Sequence, residues 1–150
     1  MAKTAAEQLS ADRKEKRVVL AKGFAGIKAG DTMFVATPRI VDAYIRTIPQ
    51  GEERSIHRLR NDLARKWQVH ATSPASTAIF LRISAQAAID EMRAGKSPGQ
   101  VSPFWRVIRG QDRIAKKLTV DSAWIDARRR LEGIEASTSD RGSALSFRER

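Results

Sequence analysis

Apolar residues along the 150-residue chain fall into several blocks, and their spacing separates helices from extended pieces. At the amino end, Leu9, Arg13, Lys16 and Arg17 share one face at helical spacing, so residues 1–30 read first as a basic helical extension. Three glycines in "GFAGIKAG" end any helix there. "TMFVATP" follows as a short extended piece, because the residue before Pro38 is pushed out of the helical region. From Arg39, the spacing of Val41, Tyr44, Ile45 and Ile48 predicts a helix that stops before Pro49.

"PQGEERS" reads as a turn, with Ser55 placed to cap a second helix, "IHRLRNDLARKW". Its apolar face is Ile56, Leu59, Leu63 and Trp67; Arg58, Arg60, Arg65 and Lys66 occupy the opposite, solvated side. Ser73 and Pro74 then form an N-cap and first-position pair for a third helix, with Ile79, Phe80, Ile83, Ala87 and Met92 facing a core up to Gly95. Two helices joined by a turn, the second opening on the small polar Ser76 and Thr77, match a helix-turn-helix layout, although the turn is longer than usual. Three-helix packing with no DNA role fits the same pattern.

After the loop "KSPGQVSP", "FWRVIRGQDRIAKKL" alternates apolar and polar residues on both sides of "RGQD", which predicts a small β-hairpin. A last helix begins at Asp121, carries Trp124, Ile125, Arg128 and Leu131, and ends at Gly133. The polar residues 135–150 read as a disordered tail. The expected fold class is therefore mainly α with a small β-hairpin, winged-helix-like, with an N-terminal helical extension.

Charge adds a partner class. The net charge is +11, from 28 Lys+Arg against 17 Asp+Glu, and such an excess favours polyanions through counterion release. The basic residues do not gather on one amphipathic helix, so a membrane surface is disfavoured. There is no cysteine, which excludes disulfides, thiolate metal sites and cysteine nucleophiles. His57 and His70 have no carboxylate at ligand spacing, so no metal and no cofactor are expected. No phosphate-binding glycine loop, acid/base carboxylate pair or serine with a base partner stands out. With no signal-peptide core and no apolar run of spanning length, the expected location is cytoplasmic.

One set of short pieces occurs in a recognisable order. "IPQGEERSIHRL", a helix opening at Pro74, "SPFWRVIRG" and "RRLEGI" together resemble the C-terminal winged-helix domain of DNA alkylguanine alkyltransferases and alkyltransferase-like proteins. The similarity spans residues 38–134, leaving 1–37 as a basic N-terminal extension. In the enzymes of that family a Pro-Cys-His-Arg motif accepts the alkyl group from a flipped guanine. Here Pro103 and Arg106 match, Phe104 stands at the cysteine and Trp105 at the histidine, so the resemblance implies a vestigial acceptor motif and no enzyme. Alkyltransferase-like proteins lack the cysteine and bind alkylated DNA. Their base-replacing arginine corresponds to Ala78 and their phosphate-rotating tyrosine to Ile56, with Arg82 one turn further along.

The resemblance implies a non-enzymatic partner of double-stranded DNA that senses damaged or distorted duplex. The alternative is a winged-helix protein-interaction or regulatory module that has lost damage recognition. Expected DNA contacts are Arg54, Ser55, Arg58, Ser76, Thr77, Arg82, Arg106, Arg109, Arg113, Lys116 and Lys117, each of which by itself also fits a solvated surface. Phe104 and Trp105 either close the pocket of a received base or stack on it.

Overall fold

A computed structural model describes residues 3–134; the expected tail at 135–150 lies outside the described residues. The elements run α1 (Ala5–Ser10), β1 (Lys16–Val19), β2 (Thr32–Val35), α2 (Pro38–Arg46), α3 (Ile56–Lys66), β3 (Ala71–Thr72), α4 (Pro74–Arg93) and α5 (Ser122–Leu131), with short 3-10 turns between α4 and α5. The chain is thus mainly helical with a small three-stranded sheet.

The amino-terminal helix is much shorter than its periodicity suggests. Thr4 and Glu7 form a capping box, but the helix ends at Ser10. Lys16–Val19 instead pairs antiparallel with Thr32–Val35, Arg17 opposite Phe34. β-branched Val18 and Val19 suit a strand, and a partner strand outweighs a weak helical pattern. Ala25 and Gly26, both at positive φ, turn the chain between a Phe24–Ile27 bridge.

β2 also pairs in parallel with β3, Met33 opposite Ala71 and Phe34 opposite Thr72. Phe34, Ala36 and Thr37 are buried. The boundary expected between residues 37 and 38 therefore falls inside one sheet and one core.

α3 and α5 begin at the caps their sequences predict, and α2 begins at Pro38, one residue before the expected Arg39, on a Thr37 cap that its spacing does not mark. The side chains of Thr37, Ser55 and Asp121 accept from the backbone N–H groups of Ile40, Arg58 and Ala123. α4 is the central helix, packed on α1, α2, α3 and the 3-10 turns. Ser84, Ala85, Ala87 and Ala88 are buried on it, and their small size lets neighbours approach. Phe80 and Ile83 face the core as expected, whereas Ile79 is 49% exposed. The helix turns its Phe80–Leu81–Ser84 face inward, which leaves Ile79 on the outer surface.

The hairpin expected over Phe104–Leu118 is not formed. Phe104–Arg106 and Arg113–Lys117 are 3-10 turns. Phe104, Trp105, Val107 and Ile108 are all buried, so the two-residue alternation of a half-buried strand is absent in space. The backbone donors of the bend go to side chains: Arg109 N–H to Asp112 Oδ2 at 2.8 Å, and Gly110 N–H to Asp126 Oδ1 at 2.9 Å. The N–H groups of Arg106, Val107, Ile108, Ala115 and Leu118, on either side of the bend, donate to the nearby Pro103, Phe104, Asp112 and Ala115 carbonyls instead of to a cross-strand ladder. The small β part of the fold is N-terminal, and the helix–helix–hairpin order is replaced by helix–helix–coil.

Gly110 tolerates no side chain. A Cβ there would lie 2.6 Å from the Ser122 carbonyl oxygen and 2.4 Å from Asp126 Oδ2. Gly110→Ala is expected to lower stability by about 1–3 kcal/mol through overpacking; an unchanged urea midpoint would contradict this placement.

Candidate nucleic-acid interface

The expected contact residues divide by what already holds them. Arg106 is held inside the protein: its Nε and Nη2 donate to the two Glu132 oxygens at 2.8 and 3.0 Å, and Nη1 donates to the Ile48 carbonyl at 2.7 Å. Thr77 is buried and its hydroxyl donates to the Ser73 carbonyl. Both serve the fold, and neither presents a side chain to a partner. The Ser55 hydroxyl caps α3, and Ser76 Oγ donates to Ser73 Oγ at 2.6 Å. Arg54 pairs with Glu52, Arg58 with Asp62, and Arg109 with Asp112, at 2.9, 3.1 and 2.9 Å. Such pairs cost little to open at a surface, but they lower the charge available to a phosphate.

Asp62 is shared more widely. The Tyr44 hydroxyl donates to it at 2.6 Å, beside the Arg58 and Arg65 bonds. The Tyr44 bond, with those guanidinium groups, holds the carboxyl below the usual aspartate range despite partial burial. Burial and the same carboxylate push the Tyr44 phenol well above its ordinary value.

Arg82, Arg113, Lys116 and Lys117 have no ion pair or side-chain hydrogen bond among the described residues. Three of them converge. Arg82 from α4 and Arg113 and Lys117 from the second 3-10 turn line one recess of about 340 Å³. Its apolar wall is Ile56 at the start of α3, Ala78 and Ile79 on α4, and Ile114. Asp112 is the acidic residue at its edge, already engaged by Arg109. A second recess of about 360 Å³ shares Ile56 and Asp112 with the first and adds Glu53, Ser55, Val107 and Arg109.

None of the four residues of the acceptor-like motif, Pro103 to Arg106, lines either recess. Phe104 and Trp105 are buried at 0% and 1% exposure, their rings edge-to-face at 5.3 Å, with Trp124 against both. Neither ring lines the Ile79 recess. Trp105 Nε1 donates to Glu132 Oε2 at 2.8 Å, and its carbonyl accepts from Arg129 at 2.7 Å. The aromatic pair fills the interior.

One surface was missed by spacing alone. The β1–β2 hairpin carries exposed Val19 and Phe24, with exposed Lys16, Arg17, Lys22 and Lys28 about them. "VVLAKGFAGIK", an apolar run on both sides of a glycine turn, is the sequence signal for it.

Among the described residues no group of three metal-ligating side chains gathers, and no helix is long and apolar enough to cross a membrane. No family model, curated protein or solved structure matches the chain.

Proposed function

We propose that this chain binds double-stranded DNA without catalysis, through the face around the Ile56–Ile79 recess. The observation that carries it is the convergence of Arg82, Arg113 and Lys117, none of them ion-paired among the described residues, on one apolar-walled recess. Unpaired cations can neutralise phosphates without first losing a carboxylate partner. The outer face of the first half of α4, with Ala75, Ala78, Ile79 and Arg82, serves as the recognition segment, and Lys116 extends the cationic rim. The resemblance to alkyltransferase-like proteins adds damaged or distorted duplex as the preferred form. Ala78 and Ile56, the positions where that family carries its arginine and tyrosine, both line this recess. Ile79, exposed in the same wall, favours a second reading in which the face receives a protein partner.

Binding measured across salt, on duplexes with and without an O-alkylated guanine, tests the proposal. Affinity is expected to fall by about 0.9 log units per contacted phosphate for each log unit of salt. Arg113→Glu with Lys117→Glu is expected to reduce that slope by about 2, one for each cation lost. Arg58→Glu with Arg109→Glu, at already paired positions, should reduce it less. No binding at low salt sinks the DNA reading and leaves the protein-partner one. Equal affinity for plain and alkylated duplex removes damage sensing alone.

A further inference from the structure

A third recess, of about 290 Å³, shares no lining residue with the two above. It lies between the end of α2, the loop before Phe104 and α5, and its polar lining is arginine-rich: Arg46, Arg106 and Arg128, with Gln50 beside them. Trp105 and Pro103 complete the wall.

The three guanidinium groups are unequally satisfied. Arg106 is saturated on its Glu132 side. Arg46 uses only Nε, on Asp42 at 2.9 Å, which leaves both terminal nitrogens without a hydrogen bond among the described residues. Arg128 stands 5.3 Å from the Trp105 ring centre and 3.7 Å from Glu132, too far for a hydrogen bond. Its Nε is buried with no hydrogen-bond partner.

A buried charged donor left without an acceptor is costly, and the two nearby carboxylates are committed elsewhere. Asp42 accepts from Ser84 as well as Arg46, and Glu132 from Trp105 as well as Arg106. The side-chain donors therefore outnumber the acceptors in this recess, and its charge balance is positive.

We propose that this recess is a binding site for a phosphate-type oxyanion, held by the terminal nitrogens of Arg46 and Arg128. Guanidinium forks match the several oxygens of a phosphate group, and Gln50 can add an amide donor. The site is independent of the DNA face, since neither of its two principal arginines lines that surface.

The test is a titration of the full chain with inorganic phosphate, phenyl phosphate and acetate at about pH 8, where a phosphate group is largely dianionic. The readout is the Arg side-chain Nε–H resonances. A saturable shift of the Arg128 resonance is expected with phosphate or phenyl phosphate, and a much weaker response with acetate. Tighter binding of phenyl phosphate identifies a phosphate monoester as the ligand class; tighter binding of inorganic phosphate identifies the free ion.

Arg128→Gln and Arg46→Gln should each weaken binding about tenfold, as expected for a lost charge-assisted contact. For both variants the titration is followed by the midpoint of thermal unfolding. Arg60→Gln and Arg65→Gln, with the same change in charge, should not weaken it. A basic protein also gathers anions diffusely, so equal weakening in all four variants overturns the site. So does an Arg128 resonance that does not move, or acetate bound as tightly as phosphate.

Discussion

Glu132→Ala is expected to be among the most destabilising single substitutions in this chain, at about 3–5 kcal/mol. The Glu132 side chain is 1% exposed and faces Arg106, itself 14% exposed. Its two oxygens accept three bonds, from the Trp105 indole and from Nε and Nη2 of Arg106. Truncation strands a buried cation and a buried indole N–H together, which costs far more than the pair gains over an apolar replacement. The melting temperature should fall by roughly 6–20 °C. Glu132→Gln, which still accepts from the indole, should lose less. A loss below about 1 kcal/mol in the alanine variant would falsify the role given to this carboxylate.

The same group gives the prediction a pH signature. Burial raises the Glu132 pKa, but the Arg106 bonds, the Trp105 indole and the Gly51 backbone outweigh it and bring the value below the ordinary glutamate range. The folded-state value therefore lies below the unfolded one, so ionisation stabilises the fold above about pH 4.3. That contribution declines as pH falls through the lowered folded value. Urea midpoints of the wild type and Glu132→Ala should accordingly converge in acid, and a gap that stays constant down to acid pH counts against the ion pair.

Phe104→Ala is the second large expectation, at about 3–5 kcal/mol. Phe104 is completely buried between Trp105 and Trp124, at centroid distances of 5.3 and 6.2 Å. Removing the ring deletes its transfer free energy and leaves a cavity that Trp105, held by Glu132, cannot easily refill. The variant should retain its helical signal in the far ultraviolet while tryptophan emission shifts. Combined with Glu132→Ala it should deviate from additivity, because both changes act on Trp105. A cost under about 1 kcal/mol would show that Phe104 plugs nothing. Phe104 and Trp105 are both buried, so the aromatic pair fills the interior.

The parts of the candidate site that could be read from the chain were its chemical types. Arg113, Lys116 and Lys117 stand out as a basic cluster; their neighbouring acid, Asp112, is taken by Arg109, and they remain unpaired in space. Arg54, Arg58 and Arg109 look equally basic in sequence, yet each has a carboxylate two to four residues away that folding brings to its guanidinium. Arg106 is the hardest case: its partner Glu132 is 26 residues distant, and no local pattern announces the pair. Ile79 was misplaced because a long helix buried along most of its surface has an ambiguous periodicity.

Local chemistry determined the ends of the helices. Ser55, Pro74, Asp121 and Gly133 mark starts and stops through caps and φ restrictions that need no distant partner. Composition likewise determined the absence of cysteine chemistry and the excess of positive charge. Tertiary structure decided where the sheet lies, since β1 exists only against β2, and β2 meets β3 across 38 residues. It also decided that Phe104–Leu118 forms no hairpin: Asp126, 16 residues away, takes the Gly110 donor, and the flanking donors close local turns. Caps and charges act within one turn of chain, where sequence distance and spatial distance agree. Strand pairing and buried ion pairs join groups far apart in sequence, and only folding chooses among their many available partners.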